Sequence, residues 1–565
     1  MRRQLLRVTG AEAVGPYSLL RVARGDLDAG VPGQFFMLEA PGRVLPRPMS
    51  VCLASTTELA FLIDAVGPGT RALCALGVGE ELHVLGPLGN GFSLDVERPL
   101  LVGGGIGIAP LPYLSAQLGR PPALLGFRSD WHAEAAALVP NAEVCVEPVY
   151  VTELLPEDPH DVLACGPEPM LEALRSLVPS AQLAWEAPMA CGYGACFGCV
   201  VELDGELKRL CVEGPVLQHG GTRGSPVSPL LHVREPVDRA ASSRRAKPGS
   251  AGDSSRHPRA ANLMEPVLLN ASGCLDALTA PGVARSLDAF VTKTITPEPR
   301  GGNAPVRIAE TDAGMLNSIG LANPGRKRFL AETLPQLREL GVPLWVSVGG
   351  FSASEYAETC AELDDVTIEL NLSCPNVDDA AETAAEIVAA CREATSLPLY
   401  AKLSPSTWDV AEQARAVEAA GADGLSLVNT LRGLALDERT LRPQLAAGSG
   451  GYSGPALKPV ALAAVYACAQ AVELPIVGMG GVRTGLDALE LIAVGASAVA
   501  LGTILFSDPV APARIRSELE AECATRGLGQ HLDARGLAHS SLQMSGSNSG
   551  NAMQKMAANR QKSTA

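Results

Sequence analysis

The most constraining feature of this 565-residue chain is a repeated alternation in its second half. Short apolar runs at 266–270, 290–295, 344–348, 366–372, 399–403, 424–428, 476–479 and 498–501 are separated by Ala/Glu/Leu-rich segments of helical character. Strands that read as near-continuous apolar runs are buried on both faces, as in a parallel sheet covered by helices. Eight such strand–helix units in about 280 residues match the count and size of a (β/α)8 TIM barrel. A doubly wound sheet is the competing arrangement. Polar residues follow the runs: Ser272, Lys293, Ser347, Asn371 with Cys374 and Asn376, Lys402, Asn429 with Thr430, Gly480-Gly481 and Gly502-Thr503. A random scatter would not recur at the same end of every strand, and in such a barrel that end is the mouth of the site.

The chain is too long for one domain. A Ser/Gly/Pro/Arg-rich stretch at 221–262 without apolar periodicity reads as a flexible linker, and 540–565, rich in Ser, Asn and Gln, reads as a disordered tail. A formal charge of −16 argues against nucleic-acid binding. The start, M-R-R-Q-L-L-R-V-T-G, lacks the apolar run of a signal peptide, and no stretch of membrane-spanning length is apolar. The expectation is a cytoplasmic protein with no membrane partner and reduced thiols. Its 14 cysteines are then structural, metal-binding or catalytic.

One thiol stands out in E-L-N-L-S-C-P-N-V, where Cys374 lies between Asn371 and Asn376 at a strand end. A buried structural cysteine is one reading. A general base is the other, provided its pKa falls toward working pH. Asn317, Asn371, Asn376 and Asn429 supply donors and acceptors suited to a small planar substrate with amides and a carboxylate. Lys293 and Lys402, in V-T-K-T and Y-A-K-L, call for an anionic partner such as a flavin, unless they snorkel to the rim.

The first half carries C-G-Y-G-A-C-F-G-C. Cys191-x4-Cys196-x2-Cys199 followed by Cys211 is the plant-type [2Fe–2S] spacing, with a zinc site as the alternative. Upstream, R-P-M-S (Arg47, Pro48, Met49, Ser50) and V-G-P-G-T (with Gly69 and Thr70) each read alone as an ordinary strand and turn. In this order, followed by G-P-L-G-N-G-F, they resemble the FAD contacts of a ferredoxin-reductase-like barrel, where Arg47 would neutralise the pyrophosphate and Ser50 would reach the flavin. L-L-V-G-G-G-I-G (Gly103, Gly104, Gly105, Gly107) is a strand running into a glycine-rich turn suited to a nucleotide phosphate. V-L-A-C-G-P-E-P-M holds Cys165, Gly166 and Pro167, and Cys165 reads equally as structural.

Over residues 263–530 the stretches T-K-T-I-T-P-E-P-R-G-G-N, G-M-L-N-S-I-G-L-A-N-P-G, N-L-S-C-P-N-V, N-T-L-R-G-L-A-L-D and G-G-Y-S-G-P-A-L-K-P-V closely resemble the catalytic subunit of class 1B dihydroorotate dehydrogenases. Residues 1–218 resemble the electron-transfer subunit of the same family, so two usually separate chains are fused here. The resemblance implies a ferredoxin-reductase-like FAD-binding β-barrel at 1–97, an α/β NAD-binding domain at 98–184, a [2Fe–2S] domain at 185–220, the linker, an FMN-binding TIM barrel at 263–539, and the tail. It implies that Cys374 takes the C5 proton of dihydroorotate. Ser272, Lys293, Thr294, Ser347, Asn371, Lys402, Val428, Gly454, Gly480, Gly481, Gly502 and Thr503 would contact FMN. Lys293, Asn317, Ser318, Ile319, Gly320, Leu321, Asn371, Asn376, Asn429 and Thr430 would contact substrate. FAD would meet Arg47, Pro48, Met49, Ser50, Leu62, Ile63, Asp64, Gly69 and Thr70, and NAD would meet Gly103, Gly104, Gly105, Gly107, Cys165, Gly166 and Pro167. Two departures from the family pattern are Ser347, where the family has asparagine, and the segment after Cys374, which lacks the usual Lys and Gly-Gly.

The expected activity is oxidation of dihydroorotate to orotate in pyrimidine (UMP) biosynthesis. Electrons would pass from FMN to the cluster, to FAD and to NAD+, in a homodimer of the fused chain. The alternatives are a related dihydropyrimidine oxidoreductase and an electron-transfer module with a non-catalytic barrel.

Overall fold

A computed structural model describes residues 1–218, 267–372, 383–407 and 409–539. The linker at 221–262, the tail at 540–565, Cys374 and Asn376 lie outside the described residues.

The eight apolar runs form one parallel sheet. Its strands are β1 (Leu268–Asn270), β2 (Phe290–Val291), β3 (Leu344–Val348), β4 (Thr367–Asn371), β5 (Leu399–Leu403), β6 (Gly424–Leu427), β7 (Ile476–Met479) and β8 (Ala498–Leu501). The hydrogen-bonded order is β1-β8-β7-β6-β5-β4-β3-β2, and a parallel bridge from Leu269 to Ala289 closes the ring. This is a (β/α)8 barrel, and the doubly wound alternative is excluded because that sheet stays open. Side chains alternate across each strand. Leu269, Val291, Trp345, Tyr400, Val477 and Ala498 thus fill the barrel interior, where the Trp345 and Tyr400 ring centroids lie 4.3 Å apart with the rings tilted 52° to each other.

Four of the outer helices begin on a side chain that accepts from the backbone N–H three residues on. Ser352, Thr383, Asp409 and Thr484 bond Glu355, Glu386, Glu412 and Asp487 in this way. This satisfies one of the N–H groups a helix start leaves unpaired, and fixes where each strand–helix loop ends.

A second, smaller sheet was not foreseen from the sequence. The strands Ile308–Glu310, Met315–Asn317, Gly450–Ser453 and Leu431–Gly433 pair antiparallel over the mouth. They arise from the loops after β2 and β6. At three or four residues each, they are too short to show a period of two.

Residues 2–88 form a seven-stranded antiparallel sheet with Arg47–Ser50 at one edge and Leu53–Ala54 at the other. Next comes a six-stranded sheet ordered Ala142–Val146, Ala123–Phe127, Leu100–Gly104, Val162–Cys165, Gln182–Ala184, Val216–Gln218. Its first five strands are parallel and the last is antiparallel. That last strand comes from the far end of the cysteine-rich segment, which leaves this sheet at Trp185 and returns to its edge.

The two halves meet at the barrel mouth. Arg209 pairs with Asp276 at 3.3 Å, and Arg3 with Asp508 at 3.6 Å. The buried Tyr193 hydroxyl donates to the Leu505 carbonyl. Tyr193→Phe leaves that carbonyl without its hydroxyl donor at little change in volume. We expect it to lower stability by about 1–3 kcal/mol, read as a lower urea midpoint by near-ultraviolet circular dichroism. An unchanged midpoint would mean that the hydroxyl contributes nothing to the docking.

Candidate functional site

A cavity opens at the C-terminal ends of the barrel strands. Ser272, Lys293, Thr294, Asn371, Lys402, Val428, Gly454, Gly480, Gly481, Gly502 and Thr503 line it, together with Asn317, Ile319, Leu321, Asn429 and Thr430. The register of β4 and β5 sets Asn371 beside Lys402. A polar chain ties the wall together. Ser347 Oγ and Thr294 Oγ1 are 3.0 Å apart, Asn371 Nδ2 donates to Thr294 Oγ1 at 3.0 Å, and Asn429 Nδ2 donates to Asn371 Oδ1 at 3.0 Å. The asparagine carboxamides are thereby held in fixed orientations around the opening.

Three expected contacts are placed differently. Ser347 is fully buried behind Thr294 and does not line the cavity; a serine is one bond too short to pass that hydroxyl. Ser318 is buried and accepts from Asn303 Nδ2 at 2.7 Å. Gly320 has φ +74, and a Cβ there would strike Asn303 at 2.3 Å. Both shape the loop that presents Ile319 and Leu321. Cys374 and Asn376 lie outside the described residues, so the arrangement around that thiol is not part of this geometry.

The two lysines are held differently. Lys402 Nζ lies 3.4 Å from Glu369 Oε1, and both side chains are buried. Glu369 went unremarked in the sequence reading, although a glutamate inside the apolar run V-T-I-E-L was its signal. Lys293 Nζ sits over the Phe197 ring at 4.1 Å, and the Arg209 guanidinium contacts the same ring at 4.3 Å. Burial pushes the Lys293 ammonium down to about 8. Cys274 also lines the cavity, and burial pushes its thiol up to about 11.

Cys196 completes one wall of this cavity, so the cysteine-rich loop is part of the barrel mouth. Its four thiols are buried and paired. Cys191 and Cys196 lie 3.4 Å apart, and Cys199 and Cys211 lie 3.0 Å apart. The Gly194 N–H points at the Cys211 sulfur at 3.2 Å, and the Cys211 N–H at the Cys199 sulfur at 3.4 Å. Among the described residues no three His, Cys, Asp or Glu side chains converge on a point that would hold a single metal ion.

A separate cleft lies where the strand order of the six-stranded sheet reverses, between Leu100–Gly104 and Val162–Cys165, the usual ligand position in such sheets. Gly104, Gly105, Gly107, Gly166 and Pro167 line it, with Arg128, His132, Tyr150 and Glu186. A Cβ on Gly107 would lie 2.4 Å from the Gly166 Cα, so the two turns touch through bare backbone. Gly103 and Cys165 do not line the cleft. Both pack inward beneath the turns, and burial pushes the Cys165 thiol up.

In the first sheet, Arg47, Pro48, Met49 and Ser50 are half-exposed on the edge strand. The Leu62 and Ile63 side chains are buried in the core, so only their backbone could meet a ligand. The Arg47 guanidinium occupies the space a Cβ on Gly69 would take, at 2.1 Å, and pairs with Glu310 of the barrel. The Thr70 hydroxyl accepts from the Gly67 N–H at 3.0 Å. Among the described residues no helix is long and apolar enough to cross a membrane.

Comparison with known proteins agrees with this geometry. The family described as "Dihydroorotate dehydrogenase" matches residues 260–523, and "Iron-sulfur cluster binding domain of dihydroorotate dehydrogenase B" matches residues 186–220. The "Dihydroorotate dehydrogenase B (NAD(+)), catalytic subunit" of Geobacillus kaustophilus is 44% identical over 254 residues, covering 43% of this chain and 81% of that protein. The protein of the same description from Listeria monocytogenes is 42% identical over 260 residues, covering 44% and 86%. That from Trichlorobacter lovleyi is 45% identical over 253 residues, covering 43% and 83%. Among solved structures, a ligand-free DHODH from Eimeria tenella is 24% identical with a TM-score of 0.43, covering 49% of this chain and 89% of that one. With relatives at this identity matched over more than four-fifths of their length, and a barrel whose mouth includes an iron–sulfur-type thiol loop, the chain belongs to the dihydroorotate dehydrogenase B family.

Proposed function

We propose that this chain oxidises dihydroorotate to orotate with NAD+ as acceptor, and that both half-reactions are carried by one polypeptide. The observation that carries this reading is Cys196, a candidate cluster ligand standing in the wall of the barrel cavity. When bound, FMN in the barrel, a [2Fe–2S] cluster on Cys191, Cys196, Cys199 and Cys211, and FAD at the first sheet would carry two electrons from the substrate carbon to the nicotinamide.

The chain's own residues have distinct tasks. Cys374 takes the C5 proton as the C6 hydride leaves. A cluster passes electrons only, so that proton and the one carried by the hydride are released to solvent, and NAD+ gains two electrons with one proton taken up from solvent. Asn317, Asn371, Asn429 and Thr430, with Asn376, orient the ring. The hydrogen bonds from Asn429 to Asn371 and from Asn371 to Thr294 support this, because they fix which amide face is presented. Lys293 supplies positive charge at the cavity wall, and Lys402 does so balanced by Glu369. Gly480, Gly481, Gly502 and Thr503 leave backbone exposed for a phosphate, as is common after the last two strands of such barrels. A Cβ on Gly502 would meet nothing nearer than 3.8 Å, so the cradle is open there. The first sheet and the six-stranded sheet fit a ferredoxin-reductase-like pair, with the glycine turns of the cleft taking NAD. A role in pyrimidine (UMP) biosynthesis, a cytoplasmic location and a homodimer belong to the same reading.

The direct test is cofactor analysis of the purified chain combined with dihydroorotate-dependent NAD+ reduction. One FMN, one FAD, and iron and acid-labile sulfide in equal amounts are expected; zinc without iron, or a single flavin, would overturn the scheme. Cys211→Ser removes one sulfur of the Cys199–Cys211 pair and leaves the barrel core untouched. NAD+ reduction should collapse while dihydroorotate still bleaches FMN; wild-type NAD+ reduction would take the thiol loop off the route.

Cys374→Ser should slow FMN reduction by dihydroorotate by about 10²–10⁴-fold. A hydroxyl ionises far above a thiol, so little base remains at neutral pH, and the deficit should shrink as pH rises and solvent base takes over. Stopped-flow reduction across pH measures this. Near-normal reduction in Cys374→Ala would return the cysteine to a structural role.

A further inference from the structure

Glu310 is a buried carboxylate, its side chain 8% exposed, at the end of the mouth strand Ile308–Glu310. All four of its hydrogen-bond donors belong to the other half of the chain. Oε1 accepts from the consecutive backbone N–H groups of Val44 and Leu45, both at 2.8 Å. Oε2 accepts from Arg43 Nε at 3.1 Å and from Arg47 Nη2. Arg43 also donates to the Thr311 carbonyl at 3.2 Å, and Arg47 donates to the Leu45 carbonyl at 2.8 Å. The loop leading into Arg47–Ser50 is therefore wound around a single acidic side chain of the barrel.

The same three-residue strand reaches two other places. Ile308 lines the barrel cavity, and so does Met315, which stands opposite Glu310 in the antiparallel pair. Ile308 also packs on the thiol loop so closely that a Cβ on Gly198 would come within 2.8 Å of it. One short strand thus touches the cavity, the thiol loop and the R-P-M-S strand. A carboxylate receiving two backbone N–H groups and two guanidinium groups is held on both oxygens, and charge-assisted bonds of this kind are the stronger class. Removing the carboxylate would take the acceptor from Arg47 Nη2, from Arg43 Nε and from two backbone N–H groups.

We propose that Glu310 is a positioning residue that locks the loop at 43–47, and with it the Arg47–Ser50 strand, to the barrel mouth at the spacing that electron passage between the halves requires. This deepens the functional reading above and rests on it. Glu310 does not line the barrel cavity; it acts through Arg47 and the loop.

The test uses the full chain with Glu310→Ala and Glu310→Gln, and Asp312→Ala as a control, because Asp312 meets Arg43 from a fully exposed position. Native-state hydrogen exchange reads the lock directly and needs no turnover. Exchange at the Val44 and Leu45 amides should rise by about tenfold or more in Glu310→Ala, rise less in Glu310→Gln, which keeps an acceptor oxygen, and stay unchanged in Asp312→Ala. In parallel, dihydroorotate should bleach FMN at the wild-type rate in Glu310→Ala while NAD+ reduction falls about tenfold or more, the scale on which small misplacements act. Unchanged exchange at both amides would overturn the lock. Raised exchange with undiminished NAD+ reduction would overturn the positioning role and leave a structural contact. Slowed FMN bleaching would also overturn it, because the carboxylate would then be acting on the barrel. Should the wild-type chain fail to reduce NAD+ with dihydroorotate, the functional reading is what fails, and the exchange experiment still decides the lock.

Discussion

The bridge between Leu269 and Ala289 closes the eight-stranded sheet, and everything at the mouth depends on that closure. A closed parallel ring has all its strand ends on one rim, so the first polar residue after each strand faces a common opening. Ser272 after β1 and Thr503 after β8 are more than two hundred residues apart in the chain and share one cavity because the ring is shut. An open sheet with the same strands would spread them along an edge.

Closure also sets the electrostatics. The alternation that turns Trp345 and Tyr400 inward also turns Glu369 inward opposite Tyr400, and Lys402 inward one step nearer the mouth. Two opposite charges enclosed together tolerate burial that neither would tolerate alone. Lys293 instead meets an aromatic face on Phe197, which comes from the other half of the chain. A cation over a ring in a desolvated place is attracted by the ring's negative face, so the thiol loop contributes to holding a barrel lysine. Phe197 has φ +59, a left-handed conformation uncommon outside glycine, which sends its ring toward the barrel while its neighbours hold the thiols.

The thiol loop is consequently a shared element. Its cysteines face one another in pairs, Cys196 faces the cavity, and Tyr193 reaches the carbonyl of Leu505. Glycines with positive φ at 192 and 194 allow the tight winding, and at Gly194 a Cβ would press on Thr279 of the barrel at 2.8 Å. The two halves of the chain are thus joined by an interface built from backbone contacts, ion pairs and a common cavity wall.

Much of this was legible in the sequence. Apolar runs bounded by polar residues located all eight barrel strands to within a few residues, because parallel strands covered by helices must be apolar throughout. The cysteine spacing named the four thiols that come together, since a short loop with fixed intervals brings its own residues together wherever it sits. The sequence could not show what long-range packing decided: that Ser347 stands behind Thr294, that Leu62 and Ile63 face the core, that four short strands roof the mouth, or that Arg47 meets Glu310. Local pattern reports how a segment prefers to bend and which face is apolar. Which distant side chain fills the space opposite it is set only when closure of the barrel and docking of the two halves bring those segments within a few ångströms.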